Sequence, residues 1–203
     1  MTPLLSDEEH IKRLLDDRVE FKLYAAEQHL SKLKEIEKAF GNISKDKARI
    51  EVEMEIDCFL SQLVGAVDSL LSQISDRLDL GISRDRINFV NVQSALIAKT
   101  KKIDLLSALD MARQQGNWYQ ILNELSNLSV HRSFLKRVIS LYDFTSPKPE
   151  QVRFLNVQRE LEESNNPFDH VMDMEVIPYL EKSLQQVREL IFSIRSSEPL
   201  LQQ

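Results

Sequence analysis

The sequence predicts an all-α protein: an up-and-down bundle of four to five helices with a short irregular or β-hairpin insertion before the C-terminal helix. Three observations predict it. Gly and Pro together supply only ten of 203 residues, about 5% against about 12% in average proteins, which leaves few of the turns an all-β fold needs. Apolar residues recur at steps of three and four over long stretches, the period of a helix with one buried face. The chain is 42% apolar and 29% charged, a globular balance rather than a disordered one. No internal repeat is evident, so one domain spanning 1–203 is expected.

The first helix is expected over 6–40. Ser6-Asp7-Glu8-Glu9 reads as a capping box, the Ser6 hydroxyl taking an orphan amide while Glu9 reaches back. Ile11, Leu15, Val19, Leu23, Ala26, Leu30, Leu33, Ile36 and Phe40 then form one continuous apolar face, and Gly41-Asn42 stops it. Residues 44–143 supply the other bundle helices. One begins near Ser44 and carries the stripe Ile56, Phe59/Leu60, Leu63, Val67, Leu70/Leu71, Ile74 and Leu78. Gly65 and Ala66 leave room there for a close neighbour, and Gly81 is placed as a left-handed C-cap.

Residues 85–115 read as helix broken near Lys99–Lys102, with Gly116 as terminator. Asn117 then caps a helix expected to run from Trp118 to about Tyr142, on the stripe Ile121/Leu122, Leu125, Leu128, Leu135, Val138/Ile139. Pro147 and Pro149 forbid its continuation. Residues 150–173 read as the hairpin or irregular insertion, Val152, Phe154 and Val157, then Val171 and Met172, flanking a polar Ser164-Asn165-Asn166. A last helix over 176–196 tolerates Pro178 in its first turn and carries Ile177, Leu180, Leu184, Val187, Ile191 and Ile194 at alternating steps of three and four.

One cysteine, Cys58, excludes a disulfide framework and multi-cysteine metal sites. With no secretory pattern at MTPLLSDEEH and no long uninterrupted apolar run, a cytoplasmic location without membrane association is expected. A net charge of −6 argues against coating by nucleic acid. The charge is uneven, however: between Arg84 and Arg137 nine Lys/Arg meet four acids, a net +5 that leaves −11 elsewhere. That stretch reads either as a local anion site or as ordinary solvated helix surface.

Most catalytic templates fail. The glycines are scattered singly, so no phosphate loop exists. Neither a His-Glu-x-x-His zinc motif nor the Glu-x-x-His pair of di-iron bundles occurs, and no cofactor or metal is implied. Cys58 lacks a neighbouring base in sequence and reads as a buried or half-buried bystander. His10 and His29 lie among charges and read as solvated, and His170 belongs to the insertion. His131 is different: four residues after Asn127 it shares a helical face with it, at the edge of the apolar seam. An imidazole there either moves protons near neutrality beside Arg132 or caps the core through a bond to Asn127 or a carbonyl.

Residues 59–74 (FLSQLVGAVDSLLSQI) ahead of Leu80-Gly81-Ile82, Trp118 preceding Leu125-Ser-Asn-Leu-Ser-Val-His-Arg132, and the closing helix from Tyr179 to Ile191 together resemble prokaryotic HEPN-type proteins, over roughly 45–195. The resemblance implies an all-α bundle, commonly a homodimer, whose active members are metal-independent RNases of toxin, defence and RNA-processing systems. In them an Arg, a polar residue and, a few positions on, a His promote attack of the RNA 2′-hydroxyl on the adjacent phosphate. By that resemblance His131 takes the histidine position, Asn127 the polar position and Ser126 the arginine position, with Arg132, Lys136 and Arg137 as candidate RNA contacts. Serine lacks the fixed charge and paired donors of a guanidinium, and losing such a contact costs about 2–4 kcal/mol of transition-state stabilisation. Glu124 and Leu125 do not replace it, and Arg132 projects about 100° away on a helix.

Three functions follow as expectations. One is a HEPN-like module without catalysis, acting in binding or dimerisation. The second is a metal-independent endoribonuclease relying on His131. The third is a helical scaffold that binds another protein through its first helix, with no RNA connection.

Overall fold

The computed structural model describes residues 7–39, 45–99, 102–113, 118–131, 137–140, 151–155 and 171–201. The fold is an all-α helical bundle. Its helices are α1 (Asp7–Asp16), α2 (Arg18–Ala39), α3 (Lys45–Arg77), α4 (Phe89–Lys99), α5 (Ile103–Arg113), α6 (Trp118–His131) and α7 (Val176–Ser197). Single 3-10 turns at Arg84–Arg86 and Pro199–Leu201 complete the helical part.

α3 is the central element, packed against α2, α4, α6 and α7. Its stripe behaves as its period requires: Ile56, Phe59, Leu60, Leu63, Val67, Leu70, Leu71 and Ile74 are all buried. Each such side chain contributes about 1.5–3 kcal/mol by leaving water. Beside Gly65 lies Lys22 of α2, whose Cε and Nζ would come within 3.3 Å of an added Cβ, so the small residue admits the aliphatic stem of a neighbour.

The end of α3 differs from expectation. Leu80 donates its amide to the Ser75 carbonyl (2.9 Å) and Asp79 donates to Asp76 (3.3 Å). That paired pattern ends the helix at Asp79, whose φ is +46°. Gly81 does take a left-handed φ of +68°, but in the connection after the cap. Lys99 Nζ bonds the Asp79 carbonyl at 2.7 Å and ties this corner to α4.

The expected helix over 6–40 is two helices. Asp17 interrupts it: its Oδ1 accepts the Val19 amide at 2.9 Å, as an N-cap carboxylate does. Gln73 Nε2 of α3 donates to the same oxygen (3.0 Å), and Arg195 of α7 binds the other (2.6 Å). The continuous apolar face also fails before the break. Ile11 and Leu15 are 56% and 77% exposed, whereas Val19, Leu23, Ala26, Leu30, Leu33 and Ile36 are buried. Ser6, Phe40, Gly41, Gly116 and Asn117 lie outside the described residues.

α2 and α7 run antiparallel, and both bury side chains at steps of four and three, Leu23/Ala26/Leu30/Leu33 on one and Leu180/Leu184/Val187/Ile191/Ile194 on the other. Three ion pairs flank that seam: Lys34–Glu181 (2.5 Å), Glu27–Arg188 and Glu20–Arg195 (2.6 Å). Successive pairs are seven residues apart on each helix, the repeat that keeps one helical face on a partner.

The break between α4 and α5 falls at the Lys99–Lys102 junction, as the sequence suggests. The helix expected from Trp118 to Tyr142 ends at His131 instead, and Arg137–Ser140 is a strand. Leu135, Val138, Ile139 and Tyr142 satisfy a helical period, but adjacent β-branched Val138 and Ile139 favour extended backbone. This strand (β1) pairs antiparallel with β2 (Gln151–Leu155), Arg137 opposite Phe154, and β2 pairs antiparallel with β3 (Val171–Glu175). Of the insertion expected over 150–173, residues 150 and 156–170 lie outside the described set.

Candidate functional site

The sequence-predicted site lies on α6. Ser126 is 7% exposed, so the residue at the position read as the missing arginine faces the interior. Asn127 is exposed on the next position round the helix. His131 is the last residue of α6, four positions beyond Asn127; its side chain, Arg132 and Lys136 lie outside the described residues. Arg137 belongs to β1 rather than to an extension of α6, so it does not share a helical face with His131. Glu124 accepts a hydrogen bond from Gln120 Nε2 at 3.0 Å.

The same α6 face runs back to Asn123, Gln120 and Tyr119, which line an open cleft of about 960 Å³. α3 adds Asp68 and Leu71, the start of α4 adds Asn88, Phe89, Val90 and Asn91, and α5 adds Asp110. Asn88 caps α4 by accepting the Asn91 amide at 2.9 Å, while Asn91 Nδ2 donates to the Arg86 carbonyl at 2.7 Å. Asp110 Oδ1 accepts from Gln93 Nε2 at 2.6 Å. Phe89 and Trp118 hold Tyr119 in place, with ring centroids at 4.7 Å and 5.7 Å.

Electrostatically the cleft is one-sided. Among the described residues no Lys or Arg lines it. Desolvation by the cleft walls pushes the Asp68 carboxyl above the ordinary range, and the Lys22 charge opposes this only in part. Burial, reinforced by the Asp68 charge, raises the Tyr119 hydroxyl well above an ordinary phenol, so it stays protonated.

Apart from Leu71, which belongs to the α3 stripe, these cleft residues were not singled out in the sequence. Asp68 interrupts the apolar run Val64-Gly-Ala-Val-Asp68-Ser-Leu-Leu71, which is its only sequence signal. Asn88, Asn91, Asp110, Gln120 and Asn123 come from other helices, and each reads locally as a solvated polar position.

Two other predicted groups are corrected. Cys58 is exposed rather than buried or half-buried. Desolvation of its sulfur and the nearby Glu55 and Asp57 charges raise the thiol, which opposes thiolate chemistry. His29 is half-buried rather than solvated, its Nδ1 donating to Glu55 Oε2 at 2.7 Å while Lys32 Nζ binds Oε1 at 2.8 Å. Burial pushes the Glu55 carboxyl up, but the hydrogen bonds and charges of Lys32 and His29 outweigh it and hold the carboxyl below the ordinary range. The side chain of His10 and all of His170 lie outside the described residues.

Among the described residues, no three His, Cys, Asp or Glu side chains are placed to hold a metal ion, and no helix is long and apolar enough to cross a membrane. Comparison of the chain with protein-family models, with curated proteins and with solved structures finds no match.

Proposed function

We propose that this chain is a non-catalytic helical binding module of HEPN-like type, in which Ser126, Asn127 and His131 are a degenerate form of the family's RNase motif. The observation that carries the reading is the polarity of the cleft bordered by α6. Two carboxylates and several carboxamides line it, with no Lys or Arg among the described residues, and a scissile phosphate requires the opposite sign of charge. The burial of Ser126 supports the same reading, because a side chain at that position faces the core instead of sharing an open surface with Asn127. Self-association belongs to the proposal as the family's usual mode, and light scattering reads it directly.

The test is incubation of a mixed-sequence RNA in EDTA with the wild-type chain, His131→Ala and Ser126→Arg. The expected outcome is no cleavage by any of the three. EDTA-resistant cleavage by the wild type that disappears in His131→Ala overturns the reading in favour of a metal-independent endoribonuclease. A second measurement bears on the scaffold reading: RNA affinity that falls steeply with salt requires phosphate contacts and counts against a module without an RNA role.

A further inference from the structure

We infer that the cleft between α3, α4, α5 and α6 binds an aliphatic polyamine, a ligand with ammonium groups at the ends of a hydrocarbon chain. The inference rests on the binding-module reading above and supplies its ligand class.

The chemistry of the lining selects the ligand. Asn91 commits one N–H of its amide to the Arg86 carbonyl, which leaves its Oδ1 and the other N–H to offer. Asp110 uses Oδ1 on Gln93, and its second oxygen remains an acceptor. Asp68 makes no ion pair among the described residues, its nearest charge influence being that of Lys22. Tyr119 is 92% buried by the complement of its 8% exposure, lines the cleft, and its hydroxyl makes no hydrogen bond among the described residues. A protonated phenol in that position presents lone pairs as well as one rotatable proton.

The carboxamides offer donors as well as acceptors, Asn88 keeping its Nδ2 once its Oδ1 accepts the Asn91 amide, so the two carboxylates decide the sign of the ligand. Their complement is a cationic donor such as an ammonium, which has three N–H donors and no acceptor. A phosphate or carboxylate ligand fails the same test, since it brings acceptors and negative charge to Asp68 and Asp110. A bound metal ion is disfavoured because no three ligating carboxylate, imidazole or thiol groups converge among the described residues.

The two carboxylates come from different helices, Asp68 from α3 and Asp110 from α5, and Leu71 and Phe89 contribute apolar surface to the same cleft. Charge at more than one point beside apolar surface matches a chain with cationic ends and a methylene middle. The volume of about 960 Å³ lies within the range of small-molecule sites.

The experiment is calorimetric titration of the full chain with spermidine at low ionic strength, beside butylamine and magnesium chloride, for the wild type, Asp68→Asn and Asp110→Asn. The expected result is saturable one-to-one spermidine binding, weakened at least tenfold by either substitution. Butylamine should bind at least tenfold more weakly, and magnesium at matched ionic strength should not displace spermidine. The single tryptophan, Trp118, lies edge-on to Tyr119, so its fluorescence reports occupancy in the unaltered protein and does not depend on a variant folding.

Absence of saturable binding into the millimolar range overturns the inference, as does binding unchanged in both variants. Displacement by magnesium as readily as by butylamine also overturns it, because diffuse screening of a chain with net charge −6 then explains the signal. The binding-module reading fails separately, on RNA cleavage that depends on His131.

Discussion

The interfaces of α2 with α3 and α7, and the cleft beside α6, treat charge in opposite ways. Along α2, Glu20, Glu27, Lys34 and the adjacent Asp17 each meet an opposite charge across the helix pair, and Glu55 of α3 is bracketed by Lys32 and His29. In the cleft, Asp68 and Asp110 face carboxamides, a phenol and apolar surface. Paired charge sets the register of one helix against another, whereas a carboxylate with no ion pair among the described residues, in a partly desolvated cleft, keeps a cost that a ligand can relieve. The contrast separates the part of the molecule that holds the fold from the part that is open to a partner.

The largest expected effect breaks the paired side. Arg195 joins Asp17, Glu20 and Gln73 and thus ties α7 to the α1–α2 junction and to α3. Arg195→Ala leaves Asp17 without its cation and Glu20 with Arg13 alone (3.0 Å), and should cost about 3 kcal/mol, because three hydrogen bonds of a partly buried guanidinium are lost together. Urea unfolding monitored by circular dichroism measures it; a loss below about 0.5 kcal/mol would show that the junction does not depend on this guanidinium.

Next comes Glu55→Gln, which removes the acceptor charge for Lys32 and His29 and should cost about 2 kcal/mol near neutrality. Because the folded carboxyl titrates below the unfolded one, the wild-type advantage is fully present above the unfolded carboxylate pKa. It is lost as pH falls through the lower folded value. Unfolding midpoints of the two proteins should therefore converge on acidification, and a constant difference down to pH 2 would contradict the assignment.

The smallest effect has the opposite sign and lies in the cleft. Asp68 titrates higher folded than unfolded, so its ionised form weakens the fold at neutral pH, and the penalty vanishes below the unfolded carboxylate pKa. Asp68→Asn should thus raise the thermal midpoint at pH 7 and leave it unchanged at pH 3. A lower midpoint at pH 7 would place Asp68 among the residues that hold the fold. A gain in stability with loss of ligand is the behaviour of a binding residue.

Legibility in the sequence followed the range of the interaction. The α3 stripe was readable because Ile56 to Ile74 repeat within a few turns, and the Lys99–Lys102 break because a local interruption produces it. The break at Asp17 was not readable: the apolar steps pass across it, and the partners that hold Asp17, Gln73 and Arg195, lie 56 and 178 residues away. The end of α6 at His131 was misread because Leu135, Val138 and Ile139 fit a helical period while the β-branching of Val138 and Ile139 favours a strand. Of the predicted site, the spacing of Asn127 and His131 on one helix was legible, but the interior position of Ser126 required the neighbouring helices.

The sequence by itself determined the all-α class, the apolar stripe of α3 and the alternating seams of α2 and α7, because helix periodicity is written between residues three and four apart. It also determined that no arginine stands at Ser126. Only the tertiary structure decided which charges meet. Glu20, Glu27 and Lys34 become one side of a ladder only when α7 lies antiparallel beside them, and Asp68, Asn91, Asp110 and Tyr119 become one cleft only when four helices converge. Such pairings join residues with no local pattern in common, and the burial of the shared apolar core sets them.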